Sequence, residues 1–192
     1  MDWLVTGDYS IGHLLVTRGV ALIYLIGFTV AFNQFPALLG ENGLLPTPRY
    51  IARIPFLRAP SLFQWGYSDR LLRAVAWAGI VVSGAAFLGL LDRAPLGVWM
   101  AAWLLLWALY QSIVNVGQIF YGFGWESLLL EVGFLIVFLG PPSIATPLPV
   151  LFLLRWLLFR LEFGAGLIKM RGDPCWRDLT CLYYHHETQP MP

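Results

Sequence analysis

The groups in this 192-residue chain that are able to do chemistry are few, and most of them interrupt long apolar runs. Arg155, Glu162 and Lys169 recur every seven residues within one such run. Seven residues turn a helix through about 700°, so the three fall within about 40° of a single stripe, while Arg160 faces elsewhere. Gln111, Asn115, Gln118 and Gly122 follow the spacing i, i+4, i+7, i+11 in an earlier run, again one stripe. Glu126, Ser127 and Glu131 lie between the two. Two readings are open to this set. Turned inward as a polar cavity, it binds a substrate or moves a proton; Lys169 is then the candidate base, because desolvation lowers a lysine pKa, with Glu162 beside it. Turned inward and paired, for instance Glu131 with Arg155 or Arg160, it is an ion-pair network that fixes helix register.

The two cysteines, Cys175 and Cys181, close the segment Asp-Pro-Cys-Trp-Arg-Asp-Leu-Thr-Cys, and His185 and His186 follow. Four ligand-type side chains so close together invite a zinc reading. Five intervening residues exceed the usual two to four, however, and adjacent histidines rarely bind one ion, so no metal is expected. The Cys-x-x-Cys spacing of redox pairs is missing. Two reduced thiols on a cytoplasmic face are the plain alternative; the expectation is a local disulfide, which suits an oxidising face. Phosphate-cradling glycine loops, nucleophile elbows and His-Glu-x-x-His are not found, and Gly122-Phe-Gly124 reads as a turn, so no cofactor is expected.

These residues must be positioned by membrane helices. Apolar residues make up 58% of the chain and charged ones only 12%, with a mean hydropathy of +0.69. That is too little charge for a water-exposed surface and too much apolar bulk for disorder. Twelve Lys+Arg against eleven Asp+Glu give no reason to expect a nucleic-acid partner. A bilayer span needs about 20 apolar residues. The fold expected is an all-α, polytopic membrane helix bundle of about five transmembrane helices, over 14–35, 74–91, 96–121, 125–140 and 150–170. A single bundle is expected over 1–170 and an extramembrane tail over 171–192. The first run is longer than the 7–15 residues of a signal-peptide core and follows Asp2 and Asp8, so it is expected to stay as an anchor. The long connection after it holds Pro36, Pro46, Pro48, Pro55 and Pro60 among aromatic residues and Arg49, Arg53 and Arg58. Such a mixture suits short segments at the headgroup level, with arginines reaching for phosphates. Gly79/Ser83 and Ala85/Gly89, each four apart, suit close helix approach, and Gly164 and Gly166 punctuate the last span.

From Tyr121 onward the residues become distinctive. Tyr121-Gly-Phe-Gly-Trp-Glu-Ser-Leu-Leu-Leu-Glu131, Arg155-Trp-Leu-Leu-Phe-Arg160, Gly164-Ala-Gly-Leu-Ile-Lys169 and Gly172-Asp-Pro-Cys-Trp-Arg-Asp-Leu-Thr-Cys-Leu182, running into His186-Glu-Thr-Gln-Pro-Met-Pro192, resemble the lipase maturation factor family. The resemblance is close over 121–192 and looser over the rest. It implies a five-span membrane protein that assists the folding of secreted lipases without a catalytic residue of its own, with lipases or chaperones as partners. It implies residence in the endoplasmic reticulum membrane in a eukaryote or in the cytoplasmic membrane of a bacterium. Family members continue past Pro192 into a soluble domain, so this sequence is expected to be either a fragment or a short form confined to the membrane portion.

The resemblance also implies that the long loop and the C-terminal tail face the lumen or the cell exterior. The arginine count points the other way, since Arg49, Arg53, Arg58, Arg70, Arg73, Lys169, Arg171 and Arg177 fall on that side. The family orientation is the one adopted. An alternative resemblance, to vitamin K-dependent carboxylase-like membrane domains, implies an enzyme acting on a lipid or quinone-like substrate, with a cavity around Glu126, Glu131, Arg155, Arg160, Glu162 and Lys169. A transporter is disfavoured by the odd span number and the lack of a visible inverted repeat. Thiol labelling in intact membranes tests orientation and compartment together. Cys175 and Cys181 should resist maleimide until reduced and then react from the extracytoplasmic side; labelling from the cytoplasm without reduction contradicts both.

Overall fold

The computed structural model describes residues 5–6 and 9–183. The chain runs β1 (Val5–Thr6), α1 (Ser10–Leu39), α2 (Thr47–Ile51), α3 (Asp69–Phe87), α4 (Leu96–Val116), α5 (Gly124–Val137), β2 (Thr146–Pro147) and α6 (Leu148–Gly172). Short 3-10 turns occupy Phe56–Arg58, Leu62–Trp65, Gln118–Tyr121 and Pro174–Trp176. It is a helical membrane protein. Among the described residues, α1, α3 and α4 are both long and apolar enough to cross a bilayer. The fourth expected span is the 14-residue α5, about 21 Å long against about 30 Å of hydrocarbon. The fifth, α6, has the length at 25 residues but carries Arg155, Arg160, Glu162, Lys169 and Arg171.

The helix ends follow local chemistry. The Ser68 hydroxyl accepts from the Leu71 amide and starts α3 at Asp69, five residues before the expected 74. Helix α3 ends at Phe87 as the chain turns through Gly89, whose φ of 85° favours glycine. Helix α4 stops at Val116, five residues short of the expected 121, because Gln118 adopts a left-handed φ of 49°. The expected stripe through Gln111, Asn115, Gln118 and Gly122 is therefore cut after Asn115. Helix α6 runs through Gly164 and Gly166 without a break.

The chain forms two compact units, Met1–Val150 and Leu151–Pro192. In the first, α1 is the spine. Its buried residues His13, Thr17, Val20, Ala21, Tyr24, Phe28, Ala31, Phe35 and Leu39 recur at three- and four-residue steps, one face along the whole helix. Helix α3 lies closest to that face, where the Phe28 ring occupies the space a side chain on Gly79 would need. The Tyr24 hydroxyl fills the corresponding notch at Gly133 of α5 and donates to the Leu129 carbonyl at 3.3 Å. Trp99, Trp103, Leu106, Tyr110 and Ile113 of α4 complete the core. Tyr110 meets Tyr24 and Phe28 edge-on, with ring centroids 5.5 and 5.3 Å apart, an arrangement worth about 0.5–1.5 kcal/mol per pair beyond simple burial.

Polar ties close each end of this bundle. At one end Arg18 pairs with Asp92 and donates to the Ala86 carbonyl, the His13 ring nitrogen Nε2 lies 2.8 Å from the Gly140 carbonyl, and Val5–Thr6 pairs antiparallel with Thr146–Pro147. At the other, the Asp69 carboxylate accepts from the Tyr67 hydroxyl at 3.0 Å and the Glu41 amide at 3.1 Å, tying the start of α3 to the exit of α1. Burial, and then this bond to Asp69, push the Tyr67 phenol well above its ordinary pKa, so it stays protonated as the donor throughout the physiological range.

The Phe28–Gly79 contact separates two superficially similar substitutions on α3. Gly79→Ala must displace a buried ring and should destabilise the protein by about 1–3 kcal/mol in detergent thermal unfolding. Gly84→Ala meets open space, and losing glycine from a helix should leave stability unchanged or raise it by about 0.5–1 kcal/mol. Equal effects from the two would show that α1 and α3 do not pack in this way.

Candidate functional site

Three polar residues stand near the end of α4 and just after it, Ser112, Asn115 and Gln118. They hold the proline-rich loop. The Ser61 hydroxyl donates to the Ser112 carbonyl at 2.8 Å, and the Leu62 amide donates to the Ser112 hydroxyl at 3.2 Å. The Asn115 amide donates to the Pro60 carbonyl at 2.7 Å, and the Gln118 amide donates to the Leu45 carbonyl at 2.9 Å. Prolines leave this loop unable to satisfy its own carbonyls by helix formation; Asn115 on α4 and Gln118 just after it supply donors to two of them, while Ser112 accepts from the loop. The left-handed backbone at Gln118 is what aims its amide back at Leu45. Gln111 is half-buried one turn earlier.

The same end of the first unit holds a crevice of about 390 Å³ between α1, α4, the Gln118–Tyr121 turn and α5. Ile23, Ile26 and Val30 form its apolar wall on α1, and Gln34 lies farther along that helix. Tyr110, Phe120, Tyr121 and Trp125 contribute rings. Its one charged side chain is Glu126, in the first turn of α5, whose carboxylate accepts from the Tyr110 hydroxyl at 2.5 Å. Among the described residues no cation lies within ion-pair distance of Glu126. Of the charged residues expected around a cavity, Glu126 is the one that lines this crevice. Glu131, farther along α5, is exposed.

In the second unit Arg155, Arg160, Glu162 and Lys169 are exposed along α6. The Lys169 ammonium lies 4.9 Å from the centre of the Trp176 ring, a cation–π placement. Cys175 and Cys181 are joined as a disulfide with Cα atoms 4.9 Å apart. The Asp173 carboxylate caps the intervening turn by accepting from the Cys175 amide at 3.0 Å. Asp173, Cys175 and Cys181 thus lie together, but both sulfurs are committed to each other and offer no thiolate to a metal. His185 and His186 lie outside the described residues.

The profile of the lipase maturation factor transmembrane domain matches residues 11–192. The chain belongs to the lipase maturation factor family. It is 43% identical over 205 residues to lipase maturation factor 1 of Mus musculus, covering 98% of this chain and 36% of that one. It is 42% identical over 211 residues to lipase maturation factor 1 of Homo sapiens, with the same coverage. Lipase maturation factor 2 of Mus musculus is 36% identical over 204 residues, 93% of this chain and 28% of that one. The chain thus spans about a third of the length of the curated relatives it matches. No solved structure matches it.

Within this lipase maturation factor domain, sequence reasoning picked out Asn115, Gln118 and Glu126 but missed their partners. Tyr110 reads as core, and only folding brings its hydroxyl to a carboxylate sixteen residues on. Ser112 is an uncharged polar residue three positions before Asn115, a signal that was there to be used. Arg18 and Asp92 were legible as opposite charges at span ends expected on the same side. Because each amide-to-loop bond contributes about 1 kcal/mol, Asn115→Leu or Gln118→Leu should speed proteolysis of the 44–66 loop by about fivefold, read as cleavage rate in detergent. Gln111→Leu should leave the rate unchanged, and acceleration by all three alike would argue for general destabilisation.

Proposed function

We propose that this chain is the membrane-embedded part of a maturation factor for secreted lipases, with no catalytic residue of its own. The family match over residues 11–192 is the observation that carries this reading. The architecture supports it. The loop is held to the bundle by side-chain hydrogen bonds, and the segment after α6 is closed by a disulfide, so both are built as ordered surfaces. On this reading the bundle spans the membrane about five times, counting α5 and α6, and its polar residues set helix register. The disulfide side and the loop side face the lumen of the endoplasmic reticulum in a eukaryote, or the exterior of the cytoplasmic membrane in a bacterium, where thiols oxidise. The partners are lipase clients or chaperones, and the enzyme alternative is not favoured.

A chimera tests the role directly. In mouse lipase maturation factor 1 the matched region is replaced by this chain, and the product is expressed with a secreted lipase in cells lacking their own factor. Recovery of secreted lipase activity is expected, and an unrelated three-helix anchor in the same position should not restore it. A chimera that inserts and accumulates normally but yields inactive lipase would contradict the proposal.

A further inference from the structure

The crevice beside Glu126 is graded in polarity along its length. Its positions on α1 run Ile23, Ile26, Gly27, Val30, Gln34 and Leu38, one helical face. Gln34 is five residues from the end of α1, and Ile23 lies about 16 Å deeper along the axis. Glu126 sits at the start of α5, at the end of the bundle that carries the loop. The Tyr110 hydroxyl that binds it lies against Gly27, so the carboxylate stands between Gln34 toward the end of α1 and the apolar side chains of Ile26 and Ile23. Ile23 and Ile26 are more than half exposed, so this wall opens sideways. A carboxylate there is retained at considerable cost without a cation, and the Tyr110 hydroxyl supplies one hydrogen bond but no charge. Around it stand the aromatic residues Tyr110, Phe120, Tyr121 and Trp125; the Trp125 ring is fixed by stacking on Phe123 at 4.5 Å. A carboxylate ringed by aromatic groups is the chemistry that receives an ammonium ion.

We infer that this crevice binds one phospholipid with an ammonium headgroup from the leaflet on the loop side, the ammonium at Glu126 and an acyl chain along Ile26 and Ile23. The occupant is set by charge complementarity. An anionic lipid would meet the carboxylate with like charge, and a neutral glyceride would leave it unpaired. The site is independent of the lipase-related role and stands whether or not that role does.

Native mass spectrometry of the full chain, released from nanodiscs of equal phosphatidylethanolamine, phosphatidylcholine and phosphatidylglycerol with matched acyl chains, tests the assignment. One ammonium-headed lipid should be retained over phosphatidylglycerol by about tenfold. Glu126→Gln keeps an acceptor for Tyr110 while removing the charge. It should melt as the parent does yet lose the preference, whereas Val30→Trp, which fills the wall, should abolish retention of any lipid. Equal retention of phosphatidylglycerol, an unchanged preference in Glu126→Gln, displacement by diacylglycerol as readily as by the ammonium lipids, or no bound lipid at all would each overturn the inference.

Discussion

Hydrocarbon offers no hydrogen bonds, so every polar atom carried into it must be answered by the protein itself. Most of what holds this chain in one arrangement follows from that demand. Pro36 lies within α1, but a loop with prolines at 46, 48, 55 and 60 cannot form a long helix and leaves carbonyls uncommitted. Asn115 on α4 and Gln118 in the turn after it donate to two of them, and Ser112 accepts from the loop's Ser61 hydroxyl and Leu62 amide. Tyr24 and Trp99 likewise spend their polar tips on carbonyls of α5 at Leu129 and Ile136 while their rings fill the core. At the opposite end Arg18 is satisfied twice, by Asp92 and by the Ala86 carbonyl.

Packing then works around those ties. Between helices in lipid there is little hydrophobic drive to associate, because acyl chains are as apolar as leucine. Close fit takes over: Phe28 on Gly79 and Tyr24 on Gly133 bring α3 and α5 up to α1, and Tyr110 interlocks with both aromatic rings. The Glu126 carboxylate departs from this economy. It is hydrogen-bonded but faces no cation among the described residues, and it borders an open, aromatic crevice. Departures from full compensation are where function is expected to lie.

Much of the architecture was legible before any coordinates, and what was not has a physical reason. Long apolar runs declare membrane helices, so α1, α3 and α4 were plain, as were the two cysteines in a short, turn-rich segment. Helix faces were hidden. The lipid-facing side of α1 is as apolar as its buried side, and no amphipathic period marks Tyr24 or Phe28 as inward. Gly79 and Ser83 did carry the signal, since small residues four apart announce a close crossing. The stripe through Gln111, Asn115 and Gln118 failed at Gln118, where tertiary hydrogen bonding to Leu45 favours a left-handed turn over another helical residue. Two of its members, Asn115 and Gln118, hold loop carbonyls. Their partner was a loop carbonyl, which has no signature in side-chain identity.

The claim that α4 side chains organise the proline-rich loop within the membrane protein is tested most directly by amide hydrogen exchange in lipid nanodiscs. The Leu62 amide, which donates to the Ser112 hydroxyl, should exchange far more slowly than an unstructured peptide, and Ser112→Ala should release it while the helical amides of α1 stay protected. Exchange at Leu62 as fast as in a free peptide, with α1 fully protected, would mean that the loop is not held and would contradict the account.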